Sequence, residues 1–197
     1  MASERDRERG VAGGVLDAPA GLITDAPGST PCATYRLVPV YRRVSASQRS
    51  EAVTLWLGQR AILESCLADR RSYELVALAR APDGGLAGTA SVSLGRRAPD
   101  GRSVYNLRMY VAPCHRLPGL ARRLTLASVE VMRRDSLAHP AAGVRVIAEN
   151  PNLARPGARR LLSRLGFGLK GKNREGQDHW FLSFDPPPLA ADRGGSA

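Results

Sequence analysis

From Val111 to Ala121 the chain reads Val-Ala-Pro-Cys-His-Arg-Leu-Pro-Gly-Leu-Ala, the stretch whose residue types and order offer the most chemistry. A strand-like run ends at Val111, a proline-bracketed loop turns, and a helix-forming run opens at Gly119. The first turn of a helix leaves backbone N–H groups unpaired and carries a partial positive charge, so such a junction can cradle a phosphate. Gly119 permits close backbone approach, Ala121 keeps the turn narrow, and Arg116 adds a guanidinium that pairs well with phosphate oxygens. The segment lacks the Gly-Lys-Ser/Thr ending of a nucleotide P-loop and the three glycines of a dinucleotide fingerprint.

Other reactive side chains are scattered. Cys114 and His115 adjoin, but neighbours in an extended segment point apart, which speaks against a nucleophile–base pair. Glu149 ends a strand-like run and is a candidate base acting through water; a salt bridge to one of the many arginines is the competing reading. Tyr105 and Tyr110 are candidate proton donors on a strand, where tyrosine more often packs. Trp56 and Trp180 read as core or pocket-wall aromatics, and His179 as a rim histidine at the start of the last strand. Cys32, Cys66 and Cys114 form no C-x-x-C pair and have no histidine cluster near them. A disulfide scaffold and a metal site are therefore not expected, and a reducing, cytoplasmic setting is.

The elements that must position these residues are legible as periodicities. Residues 1–33 read as a flexible leader and 185–197, opening Asp-Pro-Pro-Pro, as a flexible tail, leaving 34–184 as one folded domain. Within it, 34–40 is a strand candidate and 47–70 is helical in pieces. Residues 74–80 and 86–94 form a hairpin around Pro82-Asp83-Gly84-Gly85, and 104–111 is a further strand. Residues 119–134 form the clearest helix, with Leu120, Leu124, Ala127 and Val131 as its apolar stripe. Pro140-Ala141-Ala142-Gly143 breaks the pattern before a buried strand at 144–148; a second helix follows at 157–165, and 179–184 closes as a strand. The order βα(α)βββαβαβ implies an α/β (α+β) fold with a mixed, mostly antiparallel sheet and flanking helices.

Composition narrows the class of function. The 197 residues are 43% hydrophobic, ordinary globular usage, and no run approaches the ~20 apolar residues that cross a bilayer. The formal charge is +11, and residues 108–174 alone hold 14 bases against three acids. That block suits a polyanionic ligand such as a phosphorylated cofactor or nucleic acid; a solubilising arginine surface explains it equally well. With 5% aromatics and no basic–aromatic interleaving, a nucleic-acid groove is poorly supported. A helix-turn-helix reader fails on spacing, because a strand lies between the two arginine-bearing helices.

Arg116-x-x-Gly119-x-Ala121, following Val111-x-Pro113, resembles motif A of the GCN5-related N-acetyltransferase (GNAT) superfamily. Ala158-x-x-Leu161-x-x-x-x-Gly166-Phe167 resembles that superfamily's motif B, and the element order over about 34–184 is similar as well. The resemblance implies splayed central strands, here 104–111 and 144–149, with acetyl-coenzyme A between them. Its pyrophosphate would lie on the backbone of 117–121, that is Leu117, Gly119, Leu120 and Ala121, beside Arg116. The backbone of Tyr110 and Val111 would pair with the pantetheine arm like an added strand. Asn150 or Asn152 is similar to the asparagine that steadies the cofactor, with Asn152 favoured.

Two departures accompany the resemblance. Pro118 stands where the family pattern has an amide, removing one phosphate contact. Leu162 occupies the position of the tyrosine that protonates the leaving thiolate in many relatives, and strand 104–111 has no carboxylate to act as base. The resemblance implies an acyl-CoA-dependent N-acyltransferase, with acetyl as the acyl group, a primary amine as acceptor and no metal. The alternative is a catalytically degenerate coenzyme A-binding sensor or interaction module. A third reading, a basic protein whose arginine face binds nucleic acid, would show a steep salt dependence. The acceptor would be chosen by the first helices, about 47–70, and the last hairpin; the patterning sets no oligomeric state.

Overall fold

A computed structural model describes residues 34–95, 98 and 100–185, the side chains of Pro151 and Asn152 excepted. The leader at 1–33 and the tail beyond Asp185 lie outside the described residues. Seven strands form one sheet: β1 (Arg36–Pro39), β2 (Leu75–Arg80), β3 (Leu86–Gly95), β4 (Ser103–Val111), β5 (Ala141–Ile147), β6 (Gly168–Lys172) and β7 (Asp178–Ser183). Among the described residues four α-helices accompany them: α1 (Ala46–Gly58), α2 (Ser65–Ser72), α3 (Leu120–Asp135) and α4 (Pro156–Arg164). The sheet order is β1-β2-β3-β4-β5-β7-β6. Every neighbouring pair is antiparallel except β4–β5.

Local chemistry explains where the helices start. Ser45 caps α1: its hydroxyl accepts from the Gln48 N–H at 3.2 Å, and Gln48 Oε1 accepts from the Ser45 N–H at 2.8 Å, so two otherwise orphaned donors are satisfied reciprocally. The helix presents Ala52 and Trp56 to the sheet, and the Trp56 indole donates to Thr89 Oγ1 on β3 at 2.9 Å. These residues join Leu75, Leu78 and Ala68 in one apolar cluster between the sheet and α1–α2. A larger cluster on the opposite face holds Val76, Tyr105, Leu107, Leu120, Leu124, Met132, Val144 and Trp180. β2, covered on both faces, accordingly reads as the continuous apolar run Leu-Val-Ala-Leu-Ala.

The buried stripe of α3 differs from the one its sequence implies. Leu120, Leu124, Thr125, Ser128, Val129 and Met132 are buried, whereas Ala127 and Val131 flank the core half-buried. Thr125 and Ser128 are admitted because their hydroxyls donate to the Ala121 and Leu124 carbonyls, both at 2.8 Å, leaving no unpaired polar group.

Two strand boundaries also shift. Ala141, Ala142 and Gly143 are the start of β5, not a break, so the chain interruption is Pro140 alone. Small residues are needed there because the strands press together: a Cβ on Gly143 would lie 2.0 Å from the Leu182 carbonyl oxygen. β6 is the strand that periodicity misses. All five of its residues are exposed on the sheet edge, so no apolar alternation marks it, and its two lysines suit an edge strand that must not pair further.

Candidate functional site

β4 and β5 run side by side for only part of their length. Their register ends at Asn106 opposite Arg145. Beyond it β4 continues against β3 as far as Val111, and β5 continues against β7 as far as Ile147. A wedge therefore opens between two central strands, exposing main-chain edge that the sheet would ordinarily consume. The antiparallel alternation fixes which groups face it. The Ala112 N–H donates to the Ala87 carbonyl at 2.9 Å, so Tyr110 and Arg108 exchange bonds with β3. The N–H and C=O groups of Leu107, Met109 and Val111 then point into the wedge. The Val111 carbonyl is found there, accepting from Arg116 Nε at 3.2 Å.

At the wedge's outer end the chain forms a short 3-10 turn, Pro113–His115, and passes through Leu117 and Pro118 into α3. Gly119 is the N-cap, with φ 88° in the left-handed region where glycine alone is unstrained. No side chain caps the helix, and the N–H groups of Ala121 and Arg122 find no acceptor among the described residues. Leu120 anchors the helix start with a fully buried side chain, and its N–H is spent on the Leu117 carbonyl at 3.3 Å. Leu117 packs against the same core. Pro118 precedes the cap, so its missing N–H lies just outside the helix. The turn is pinned from β1's side: the Tyr35 hydroxyl lies 2.9 Å from His115 Nδ1, with the rings edge to face. That contact engages His115 away from Cys114, which is exposed and free.

A cleft of about 440 Å³ adjoins the wedge on the α1–α2 side. Its lining includes Trp56, Thr89, Ser91 and Tyr110 together with Arg60, Arg71, Arg108 and Glu149. Arg108 Nη1 donates to Ser93 Oγ at 3.1 Å, and its Nε lies 3.6 Å from Glu149 Oε1. Glu149 thus reaches the cleft as half of an ion pair. The Tyr110 hydroxyl pKa is raised, chiefly by burial against the opposing pull of Arg116, so the phenol stays protonated at neutral pH. Asn150 also lines the cleft; Asn152 lies in the short 3-10 turn Pro151–Ala154 after β5, and its side chain is outside the described residues.

Three other sequence candidates fall elsewhere. Tyr105 is buried in the core, where its hydroxyl donates to Asp135 Oδ2 at 2.5 Å, and burial followed by that carboxylate raises its pKa. Leu162 is buried in the same core and presents only its carbonyl, which accepts from the Phe167 N–H at 3.0 Å. His179 sits on β7 with its pKa lowered, first by burial and then by Arg145 and Lys170. The residues that sequence reasoning overlooked are Tyr35, Arg60 and Arg71. Each acts through a contact between distant segments or a wall of the cleft, for which no local spacing exists.

No family model and no curated protein sequence matches the chain. Solved structures do. A GNAT-family acetyltransferase from Streptococcus pneumoniae superposes with a TM-score of 0.52 at 14% identity, over 75% of this chain and 96% of that one. A GCN5-related N-acetyltransferase from Kribbella flavida gives 0.55 at 16% identity, over 76% and 98%. A GNAT-superfamily phosphinothricin acetyltransferase from Sinorhizobium meliloti, solved in complex with acetyl-CoA, gives 0.55 at 18% identity, over 75% and 86%. What this chain shares with all three is the fold.

Proposed function

From the GNAT fold that this chain adopts, we propose that it is an acyl-CoA-dependent N-acetyltransferase acting on a primary amine. The observation that carries the reading is the open backbone edge of β4, joined by one short loop to a start of α3 that no side chain caps. An extended amide-bearing arm suits the edge at Met109 and Val111, and a pyrophosphate suits the amides of Gly119, Ala121 and Arg122 with Arg116 alongside. These are the two chemically unlike parts of acetyl-coenzyme A, in the order its covalent structure requires. The basic block around them supplies a favourable field for the cofactor's phosphates. Residues 34–184 would form the catalytic unit, in a cytoplasmic setting.

The chemistry asked of this chain is modest. Holding amine and thioester together in the cleft replaces a bimolecular encounter, which is the larger part of the rate gain. The amine, once deprotonated, attacks the carbonyl carbon; a C–N bond forms and the C–S bond breaks, its electron pair leaving on sulfur. Of the two protons the ammonium gives up, one ends on the thiol and one in solvent. Glu149 would pass a proton out through water, and the neutral Tyr110 hydroxyl, which lines the same cleft, would protonate the thiolate. With Leu162 in the core, no proton donor comes from α4's buried face.

A second reading, a coenzyme A-binding module without turnover, is favoured by that leucine and by the pairing of Glu149 with Arg108. Two measurements separate the readings. Calorimetric titration with acetyl-CoA tests the site, and thiol release in the presence of amines tests transfer. Binding with release supports the enzyme, binding without release supports the module, and absence of binding removes both.

A further inference from the structure

Besides Arg116 near the helix start, three further arginines from separate segments line the cleft beside the wedge. Arg60 follows the end of α1, Arg71 belongs to the last turn of α2, and Arg108 lies on β4; a single carboxylate, Glu149, faces them. Its charge is already matched by Arg108, so Arg60 and Arg71 leave the cleft with a net positive field. Neither Arg60 nor Arg71 has a carboxylate or side-chain hydrogen-bond partner among the described residues.

The backbone at Arg60 makes the placement harder to dismiss. Its φ is 52°, the left-handed conformation that ends many helices and that glycine or asparagine ordinarily fills. An arginine there is strained. Arg42, the other described non-glycine residue with positive φ, is compensated by the Asp135 carboxylate at 3.4 Å. Arg60 has no such compensation among the described residues, and it lines the cleft. Arg108 adds a related observation: its Nε is buried without a hydrogen-bond partner, the Glu149 oxygen at 3.6 Å being too far to serve. Strain at Arg60 and an orphaned donor on Arg108, both lining the one cleft, point to a ligand that the fold is built to receive.

Resting on the acetyl-transfer reading, we infer that the acceptor is a small primary amine carrying two carboxylates, of the kind represented by an acidic amino acid. Two free guanidiniums offer two oxyanion sites, and charge-assisted bonds to them would hold the molecule with its amino group toward Glu149 and the wedge. Trp56, fixed by its bond to Thr89, adds apolar lining beside which a short carbon chain can lie. The same field repels polyamines, and the cleft's volume of about 440 Å³ suits a small molecule.

The test uses the full-length chain with glutamate, its neutral analogue glutamine, spermidine, and a short peptide with an acidic N-terminal segment. Acetyl-CoA affinity is measured first and separately, so that a failure of the acetyl-transfer reading is seen as loss of that binding. Glutamate binding by the cofactor-free protein still reports on the arginines in that event. The expected result is that glutamate binds, and is acetylated, at least about tenfold better than glutamine or spermidine. Arg60→Gly should lower kcat/KM for glutamate about tenfold while raising the melting temperature, because glycine relieves the strained φ. Arg71→Gln should show the same kinetic loss, with acetyl-CoA affinity within about twofold of the parent in both variants. Equal use of glutamine, preference for spermidine, acetylation of the peptide but not of glutamate, or indifference to both substitutions would each overturn the proposal.

Discussion

Asn106 on β4 and Arg145 on β5 are the last residues to face each other across the one parallel pair of the sheet. Everything proposed for the cleft depends on what the two strands do next. β4 keeps its antiparallel partner β3, and β5 keeps β7, so the wedge opens without either strand losing its hold on the sheet. The cost is a stretch of main chain on one edge of β4 that no neighbouring strand pairs, of which the Val111 carbonyl is taken up by Arg116.

Those groups should report cofactor binding directly. Amide hydrogen exchange at 107–111 is expected to slow on addition of acetyl-CoA. Residue-resolved data should show Met109 and Val111 protected more than Tyr110, whose backbone already pairs with β3. Uniform or absent protection across the strand would mean that no arm is added there.

Ala121→Glu separates the helix start as a binding site from the helix start as structure. A carboxylate in the first turn favours the helix dipole by about 0.3–1 kcal/mol, so the variant should melt no lower than the parent. The same charge beside Arg116 and the free amides should repel a pyrophosphate, and acetyl-CoA affinity should fall by about tenfold or more. Calorimetry and thermal melting on one preparation read both effects. Unchanged affinity would place the phosphates elsewhere.

The sequence announces the parts of this protein whose chemistry is local. Gly119, Arg116 and Ala121 lie within six residues of one another, and the capping, the glycine turn and the helix are consecutive in the chain. The fold class and ten of the eleven strands and α-helices among the described residues follow from apolar periodicity for the same reason. β6 escapes because an exposed edge strand carries no buried face to generate a pattern. The arginine wall escapes because Arg60, Arg71 and Arg108 are brought together only by tertiary packing, and an arginine at a helix end looks like any solvated charge. The small run Ala141–Gly143 misleads for a related reason: residues that permit close strand approach have the composition of a turn.

Gly143 makes that last point testable. It sits opposite Val104 on one side and Ser183 on the other, just below the fork of β4 and β5. An alanine Cβ would meet the Leu182 carbonyl oxygen at 2.0 Å and Phe181 Cζ at 2.8 Å. Backbone must shift, which for overpacking of this kind costs about 1–3 kcal/mol or more. Urea denaturation of Gly143→Ala should show the loss, together with weaker acetyl-CoA binding because the displaced strands are those that form the wedge. Parent-like stability would show that β5 and β7 lie further apart than described.

Two titrating groups should make the fold acid-sensitive in separate steps. Burial, with Arg145 and Lys170 nearby, lowers the His179 pKa below its ordinary value, so the folded state keeps the imidazole neutral while the unfolded chain takes up a proton near pH ~6.5. Its contribution is therefore full above about pH 6.5 and declines as the pH falls through the depressed folded value. Asp178 has a buried side chain whose carboxylate receives Arg159 Nη2 at 2.5 Å and Lys172 Nζ at 3.4 Å. The Arg159 bond foremost holds its pKa low. That contribution is full well above the unfolded value of ~3.9 and is lost only as the pH falls past it toward the lower folded value. Melting temperature followed from pH 8 to pH 3 should then decline first in the weakly acidic range and again below about pH 4. His179→Gln should remove the first decline and Asp178→Asn the second, the latter also lowering the melting temperature at pH 7 because Arg159 and Lys172 lose their partner. Superimposable curves for parent and variants would show that neither group changes its proton affinity on folding.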